Sequence, residues 1–326
     1  MTGRGRTDVV LLQLGGPDRL AGVEPFLYNL FCDPDIIDLP LAFLFRKPLA
    51  RLIASRRAPK VQELYRRIGG RSPILRLTLR QAAALERELA PTLGSRVHIA
   101  MRYWHPFTAE TVDTLVREGA GRVVLLPLYP HYSRTTTGSS VNEWHRVLAE
   151  KGIRDISTAV VREYPDHPLY VRALVEGIGT ALRRVPAADR AKVHLVFSAH
   201  GTPVKLVEAG DPYRQHIVRT YEAVTAEGKW GLPHHLCFQS KVGPEKWLEP
   251  SLDQTIDRLG AEKVSHMIVV PIAFVSDHLE TLSEINIEGK ERAKHLGVRH
   301  YDMSPAINTN PHFIRCLAEL VRKAAA

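Results

Sequence analysis

Cysteine is scarce. Three residues, Cys32, Cys237 and Cys316, are scattered along 326 positions. An odd, dispersed set argues against a disulfide framework and fits a reducing compartment. Three thiolates also fall one short of the four that hold an iron–sulfur cluster, so no such cluster is expected. No apolar run approaches the length needed to cross a bilayer, and the opening MTGRGRTD shows no apolar signal core before the first strand. The formal net charge of +9 invites an anionic partner. Because no Lys/Arg tract interleaved with aromatics is present, nucleic acid is not expected. An acidic membrane surface and a polycarboxylate ligand remain. The rest of the composition, 44% apolar and 24% charged, is that of an ordinary globular chain, long enough for two domains or one large one.

Against these absences one stretch stands out, Pro271 to Glu288, PIAFVSDHLETLSEINIE. An apolar run from Met267 reaches Pro271 and continues to Val275, which predicts a fully buried strand. It breaks at Ser276-Asp277-His278, where Ser or Asp can cap a helix. In that helix Glu280, Glu284 and Glu288 fall four residues apart and share one face, with Asp277 at its mouth. Leu279, Leu282 and Ile285 supply the apolar packing. Like charges at this spacing repel, so the ladder costs stability unless a cation or shared protons relieve it. Taken alone, a solvated acidic face explains the pattern equally well. A second apolar strand, Val193 to Gly201, ends in Ser198-Ala-His-Gly201. If both strands belong to one parallel sheet, His200 meets His278 and Glu280 at its carboxyl edge. Imidazole facing carboxylate there can hold a divalent metal or move protons.

Taken in order, Asp8 to Leu14 reads as a buried strand, and Gly15-Gly16-Pro17 forces a tight turn. That turn lacks the GxGxxG spacing of a dinucleotide fingerprint. Between Val23 and Lys60, apolar bulk (Phe26, Leu27, Leu30, Phe31, then Leu39 to Phe45) meets Arg46, Lys47, Arg51, Arg56, Arg57 and Lys60. Such a segment can dip into an anionic membrane surface or line the mouth of an apolar pocket, or be a core helix with a basic solvated side. Ser72-Pro73 starts a helix to about Leu89. Arg96 to Tyr103 is a strand that delivers Arg102, Tyr103 and Trp104 to its end. Arg122 to Tyr129 is the next, opening into a hydroxyl-rich loop, Pro130 to Ser140. The second half echoes the first: Val9–Pro17 is similar to Leu195–Pro203, Val97–Pro106 to His235–Pro244, and Val123–Ser133 to Ile268–Ser276. Strand–helix alternation at this spacing implies βαβ units. The expected fold is α/β: two similar Rossmann-like halves, residues 1–160 and 161–326, each a parallel sheet flanked by helices. A cleft between them and a last helix, Pro311 to Lys323, packing back complete the expectation.

These stretches carry a family resemblance. FSAHG with GDPY (Gly210 to Tyr213), QSKVGPEKWLEP (Gln239 to Pro250), PIAFVSDHLETLSE, LGGP (Leu14 to Pro17), FLYNLFCDPDII (Phe26 to Ile37), YRRIGGRSPI (Tyr65 to Ile74) and LYPHYSRTTTGSS (Leu128 to Ser140) together resemble ferrochelatase. They run in order from about Val9 to Leu320. The resemblance implies insertion of ferrous iron into protoporphyrin IX, with loss of two pyrrole protons, to give protohaem. It places the family's catalytic and metal-binding pair on His200 and Glu280. It sets Leu14, Tyr103, Trp247 and Phe274 along the macrocycle, with Arg102 a cation for its propionates. Asp277, His278, Glu284 and Glu288 become a polar track for metal or protons. It favours the lip reading for residues 23–60. Without it, Arg102 and Tyr103 would pass for a surface cation and core aromatic. The QSKVGP segment is typical of the branch acting on protoporphyrin rather than coproporphyrin. Departures are Asn286, where many relatives carry an acid, Thr202 in place of a common Leu, and His131 and Arg134 in a loop where other residues are usual. The expected protein is a cytoplasmic monomer that binds protoporphyrin IX and Fe2+, touches the inner face of the membrane through its lip, and keeps no resident cofactor. A chelatase for cobalt, nickel or another tetrapyrrole, and a non-catalytic haem or metal carrier, are the competing readings.

Overall fold

The computed structural model describes residues 6–36, 42–241 and 245–326, with the backbone alone at 42–44. Residues 37–41 of the expected lip, Val242–Pro244 of QSKVGP and the first five positions lie outside the described residues. The elements are β1 (Thr7–Gln13), α1 (Val23–Phe31), α2 (Ala42–Arg67), α3 (Ile74–Leu89), β2 (Val97–Met101), α4 (Thr108–Arg117), β3 (Arg122–Pro127), α5 (Ser139–Glu150) and β4 (Ser157–Val160). They continue with α6 (Pro168–Arg184), β5 (Val193–His200), α7 (Val204–Glu208), α8 (Tyr213–Gly228), β6 (His234–Gln239), α9 (Leu252–Ala261), β7 (His266–Pro271), α10 (Gly289–His295), β8 (His300–Met303) and α11 (Pro311–Ala325).

The strands form two four-stranded sheets, β2-β1-β3-β4 and β6-β5-β7-β8, parallel throughout. Helical crossovers cover the faces of a parallel sheet, which is why its inner strands are apolar on both sides. β1 shows the result: Val9, Val10, Leu11 and Leu12 are 0–1% exposed, each contributing about 1.5–3 kcal/mol of burial. In the first sheet Val10 and Leu12 pack with Val112 and Leu115 of α4 and with Trp144 and Val147 of α5. In the second, Val196, Met267 and Val269 pack with Ile256 and Leu259 of α9. The echo between halves extends to backbone detail. Met101 N–H donates to Pro106 O at 2.7 Å and Phe238 N–H to Pro250 O at 2.9 Å, closing the same loop after the second strand of each half. Each half is thus a Rossmann-like sheet with flanking helices.

The chain divides into two units, residues 1–163 with 314–326, and residues 164–313. From Ile314 onward α11 therefore belongs to the first unit rather than to the sequence-assigned second half. Arg322 accounts for the attachment, donating to Glu88 O at 3.0 Å and to Thr92 Oγ1 at 3.2 Å. In the first unit, α2 lays Arg51 over the Tyr28 ring and Arg57 over the Phe31 ring of α1 (5.8 and 5.6 Å to the centroids). Phe45 and Leu52 of α2 face solvent, 62% and 46% exposed. Among the described residues no helix is long and apolar enough to cross a membrane.

Two boundaries differ from the sequence reading. β7 ends at Pro271, not Val275, because proline brings no N–H to the ladder. The acidic helix starts at Glu280, not at Ser276–His278, and neither Ser276 nor Asp277 caps it. Its backbone follows a π-helix over Glu280–Glu288 before tightening into α10.

Candidate active site

Three strand ends of the second unit supply the site. β5 ends on His200, β6 hands on from Gln239 to Ser240, and β7 leads through Ile272 to Phe274, His278 and Glu280. In a parallel sheet these carboxyl ends share one edge, where outward loops can converge on a ligand. The chain turns at once beyond His200 because position 201 is glycine. A Cβ there would stand 2.7 Å from Gln239 O and 3.2 Å from Trp247 Cε3. Trp247 therefore lies close over this turn, half-buried, with its indole Nε1 enclosed and unpaired.

His200 Nδ1 stands 2.9 Å from Glu280 Oε2. The Tyr213 hydroxyl donates to His200 O at 3.0 Å and anchors the strand end. Phe274 meets the His200 ring edge-on at 6.1 Å and lies tilted against His278 at 4.2 Å. His278 Nε2 is 3.7 Å from Glu280 Oε2, too far for a hydrogen bond, and is buried without another partner. Ser240 Oγ spans the next two carboxylates, donating to Glu284 at 2.5 Å with Glu280 at 3.2 Å. Glu288 is exposed and accepts from Ser283 Oγ at 3.0 Å. The acidic ladder thus runs from an enclosed end at Glu280 to solvent at Glu288. A π-helix, hydrogen-bonded i→i+5 at roughly 4.4 residues per turn, still keeps positions four apart near one face. Asp277 accepts from Asn308 Nδ2 at 3.1 Å and from Thr281 Oγ1 at 3.4 Å, held beside the ladder by these two side chains.

The charges sort along this line. Burial opposes an imidazolium at His200, but Glu280 and Glu284 outweigh it and raise its pKa. Burial would likewise lift Glu280, yet His200 and His278 hold it well below the usual carboxylate range. Glu284 is pushed up to about 7 by burial and by the charge of Glu280, against the hydrogen bond from Ser240. The site therefore holds an ionised Glu280 that favours a proton on His200 and, next to it, a carboxyl that exchanges its proton near neutrality. Folding stability from Glu284 is full below its ordinary value of 4.5 and is lost as pH climbs through about 7. Glu284→Gln is accordingly expected to gain about 2–3 kcal/mol over wild type on going from pH 5 to pH 8. Urea unfolding at the two pH values measures it; an equal difference at both would show that Glu284 titrates normally.

Imidazole and carboxylate at this separation suit one divalent ion. With bonds of about 2.1 Å and an angle near 90°, two ligands of a single metal stand roughly 3 Å apart. Among the described residues no three His, Cys, Asp or Glu side chains converge on one metal position. The pair is an open, two-donor site.

Of the residues expected along the macrocycle from the first unit, Tyr103 and Arg102 are engaged with other side chains. Leu14, at the end of β1, is half-buried. Tyr103 is 1% exposed, and its hydroxyl donates to the fully buried Asp33 carboxylate at 2.5 Å. Arg102 sets Nη2 3.1 Å from the same Asp33 oxygen, donates from Nε to Ser139 Oγ at 2.8 Å, and lies 3.6 Å from Glu143. Tyr103 is thus not an open stacking face, nor is Arg102 an uncommitted cation. The buried carboxylate that sequence reading missed has claimed both. It also missed Ser240, whose backbone lies in the left-handed region at φ +66°. Its only signal was its place directly after an apolar strand inside a motif read for substrate preference.

Comparison with known proteins places these features in context. The family model described as Ferrochelatase matches residues 6–325. A protein named ferrochelatase from Geotalea daltonii is 49% identical over 317 residues, 97% of both chains. One of the same name from Geobacter metallireducens is 50% identical over 98% of both. One from Synechocystis is 44% identical over 97% of this chain and 82% of the relative. Among solved structures, SirB from Bacillus subtilis with Fe3+ matches 98% of this chain at a TM-score of 0.56 and 14% identity. The sirohydrochlorin chelatase SirB of Bacillus subtilis subspecies spizizenii in complex with cobalt gives the same TM-score at 11% identity, a likeness of fold.

Proposed function

The chain belongs to the ferrochelatase family, and from that premise we propose that it inserts Fe2+ into protoporphyrin IX and releases two pyrrole protons to give protohaem. In enzyme terms this is a lyase, a metal chelatase. The observation that carries the reading is the His200–Glu280 pair at 2.9 Å, with Glu284 beside it.

Three tasks must be done: the ion sheds water, the rigid macrocycle puckers to expose its nitrogens, and two N–H protons leave. Glu280, and His200 through Nδ1 once the proton on that nitrogen has passed on, replace water around the incoming iron. Two protein donors hold the ion loosely enough to surrender it to four pyrrole nitrogens. His200 Nδ1 donates to Glu280, which leaves Nε2 as the base for a pyrrole proton. The raised pKa strengthens that base. Once charged, the ring is stabilised by Glu280, and the proton passes to Glu284, whose pKa of about 7 lets it both take and give. Glu288, in solvent, discharges it, and His278 and Asp277 complete the polar track. Phe274 and Trp247 are the flat surfaces proposed for the ring. Pressing the macrocycle towards its puckered shape favours the transition state over the flat ground state. Arg102 and Tyr103 act through Asp33, ordering the end of β2.

No cofactor resides in the working enzyme, and iron enters only as substrate. The protein works as a monomer in the cytoplasm. Phe45 and Leu52, exposed beside Lys47, Arg51 and Arg56, rest against the anionic inner face of the membrane. The deciding experiment is anaerobic addition of Fe2+ to protein-bound protoporphyrin. The expected result is conversion of the free-base spectrum to that of the iron complex at an enzyme-dependent rate. No acceleration by the protein, with turnover of cobalt or of another tetrapyrrole instead, would overturn the assignment.

A further inference from the structure

The second sheet carries histidine on every strand near its amino-terminal end, opposite the edge that holds His200. His194 lies on β5, His234 and His235 on β6, His266 on β7 and His300 on β8. Four of the five form two stacked pairs. His194 and His235 have ring centroids 5.3 Å apart at 18°; His266 and His300, in register across β7 and β8, are 5.7 Å apart at 22°. We infer that this edge is an acid-released clasp, closed by the hydrogen-bonded neutral imidazoles of His194 and His235 and opened when protons enter them.

Hydrogen-bond bookkeeping carries the first pair. Arg258 Nη2 lies 3.2 Å from His235 Nδ1. A guanidinium can only donate, so that nitrogen must be a lone-pair acceptor. His235 then carries its hydrogen on Nε2 and donates it to His194 Nδ1, 3.1 Å away. No site is left for another proton. On His194 Nδ1 it would set N–H against N–H; on His235 Nδ1 it would set N–H against Arg258. Around this pair stand Arg258 of α9 and Glu262 just past its end, themselves 2.9 Å apart, and His234, whose Nδ1 is tied to the Tyr221 hydroxyl of α8. Glu262 alone favours a proton; Arg258, His234 and desolvation oppose it.

The second pair lies along the same edge of the sheet, and His300 Nε2 is enclosed without a hydrogen-bond partner. His266 is 6% exposed, with Nδ1 2.8 Å from Ser265 Oγ. Asp189 lies 3.9 Å from its Nε2 and favours protonation, but that acid is already paired with Lys192 at 2.7 Å. Desolvation, His300, Lys192 and Arg299 act against it. In keeping with this packing, burial and Arg258 hold His235 down to about 4, and burial holds His194 and His266 below their ordinary value.

A ring whose folded pKa is depressed contributes stability above its unfolded value of 6.5, lost as pH falls through the folded one. Because His194 and His235 are joined by one hydrogen bond, β5 and β6 should part in one step rather than ring by ring. β5 spans from His194 to His200, so the step would also unseat the catalytic strand end.

The test is NMR of the full chain, following histidine ring Cε1–H shifts and amide protection of β5–β8 between pH 7.5 and 4. The expected result is that His194 and His235 stay neutral through pH 6 and then protonate together, in the same step that strips protection from residues 193–197 and 234–237. In the double variant His194→Gln, His235→Gln the step should move to lower pH and take up fewer protons. Rings that titrate singly near 6.5 with the amides still protected would overturn the clasp, as would an unchanged step in the variant. If the variant does not fold, the wild-type ring titration decides by itself.

Discussion

In His200→Ala, iron insertion falls by roughly 10²–10⁴-fold, the range in which a positioned acid–base group contributes, while porphyrin binding and the melting transition stay close to wild type. The separation of effects follows from where the residue sits. Its side chain is 38% exposed and bonds to Glu280; the fold is held at this point by the backbone, through Tyr213 OH on His200 O and Gly201 N–H on Gln239 O. Truncating the ring removes a base and a metal donor but no core packing. Glu280→Gln should fall by a similar factor, since the amide neither balances an imidazolium nor binds Fe2+ as strongly. Because the two groups act as one unit, the double variant should be little worse than either single one. Single-turnover kinetics under anaerobic conditions, with porphyrin fluorescence quenching for binding, measures both quantities. A His200→Ala protein within tenfold of wild-type rate would remove the residue from the chemistry, and one that loses its cooperative melt would make it a structural histidine.

The fold was legible in the sequence because both of its signals are local. Apolar runs such as Val9–Leu12 and Val193–Ala199 can only be strands buried on two faces, and their order relative to the turns repeats between the halves. The meeting of His200 and Glu280 was legible for a related reason: one ends such a run, the other follows a few residues beyond another, and the carboxyl edge of a parallel sheet brings such positions together. What could not be read was the partner of each polar group. Asp33 sits in an unremarkable CDPD turn, and nothing near it announces that Tyr103, Arg102 and Ser139 will all spend their donors on it. The π-helical winding was hidden for a different reason. A four-residue acidic repeat satisfies both helix types, and only the way the chain leaves β7 distinguishes them. The histidine edge was invisible because pairs such as His194 and His235 are distant in sequence and become diagonal neighbours only when β5 and β6 pair, with His235 opposite Val196.

Asp33→Asn should destabilise the first unit by about 3–5 kcal/mol, the cost of stripping one partner from a buried ion pair. Its carboxylate is fully enclosed. It accepts from the Tyr103 hydroxyl, Ser139 Oγ and the Asp35 N–H, and pairs with Arg102. An asparagine of the same shape turns two acceptor oxygens into one and sets an NH2 group among donors, leaving the 13%-exposed Arg102 without its nearest countercharge. Tyr103→Phe keeps the charge pair and removes only one neutral donor from an acceptor that has others, so it should cost about 1–2 kcal/mol. Urea unfolding of the two variants and the wild type fixes the ranking. If Asp33→Asn costs no more than Tyr103→Phe, the buried carboxylate is not the centre of this network, and Arg102 is an uncommitted cation after all.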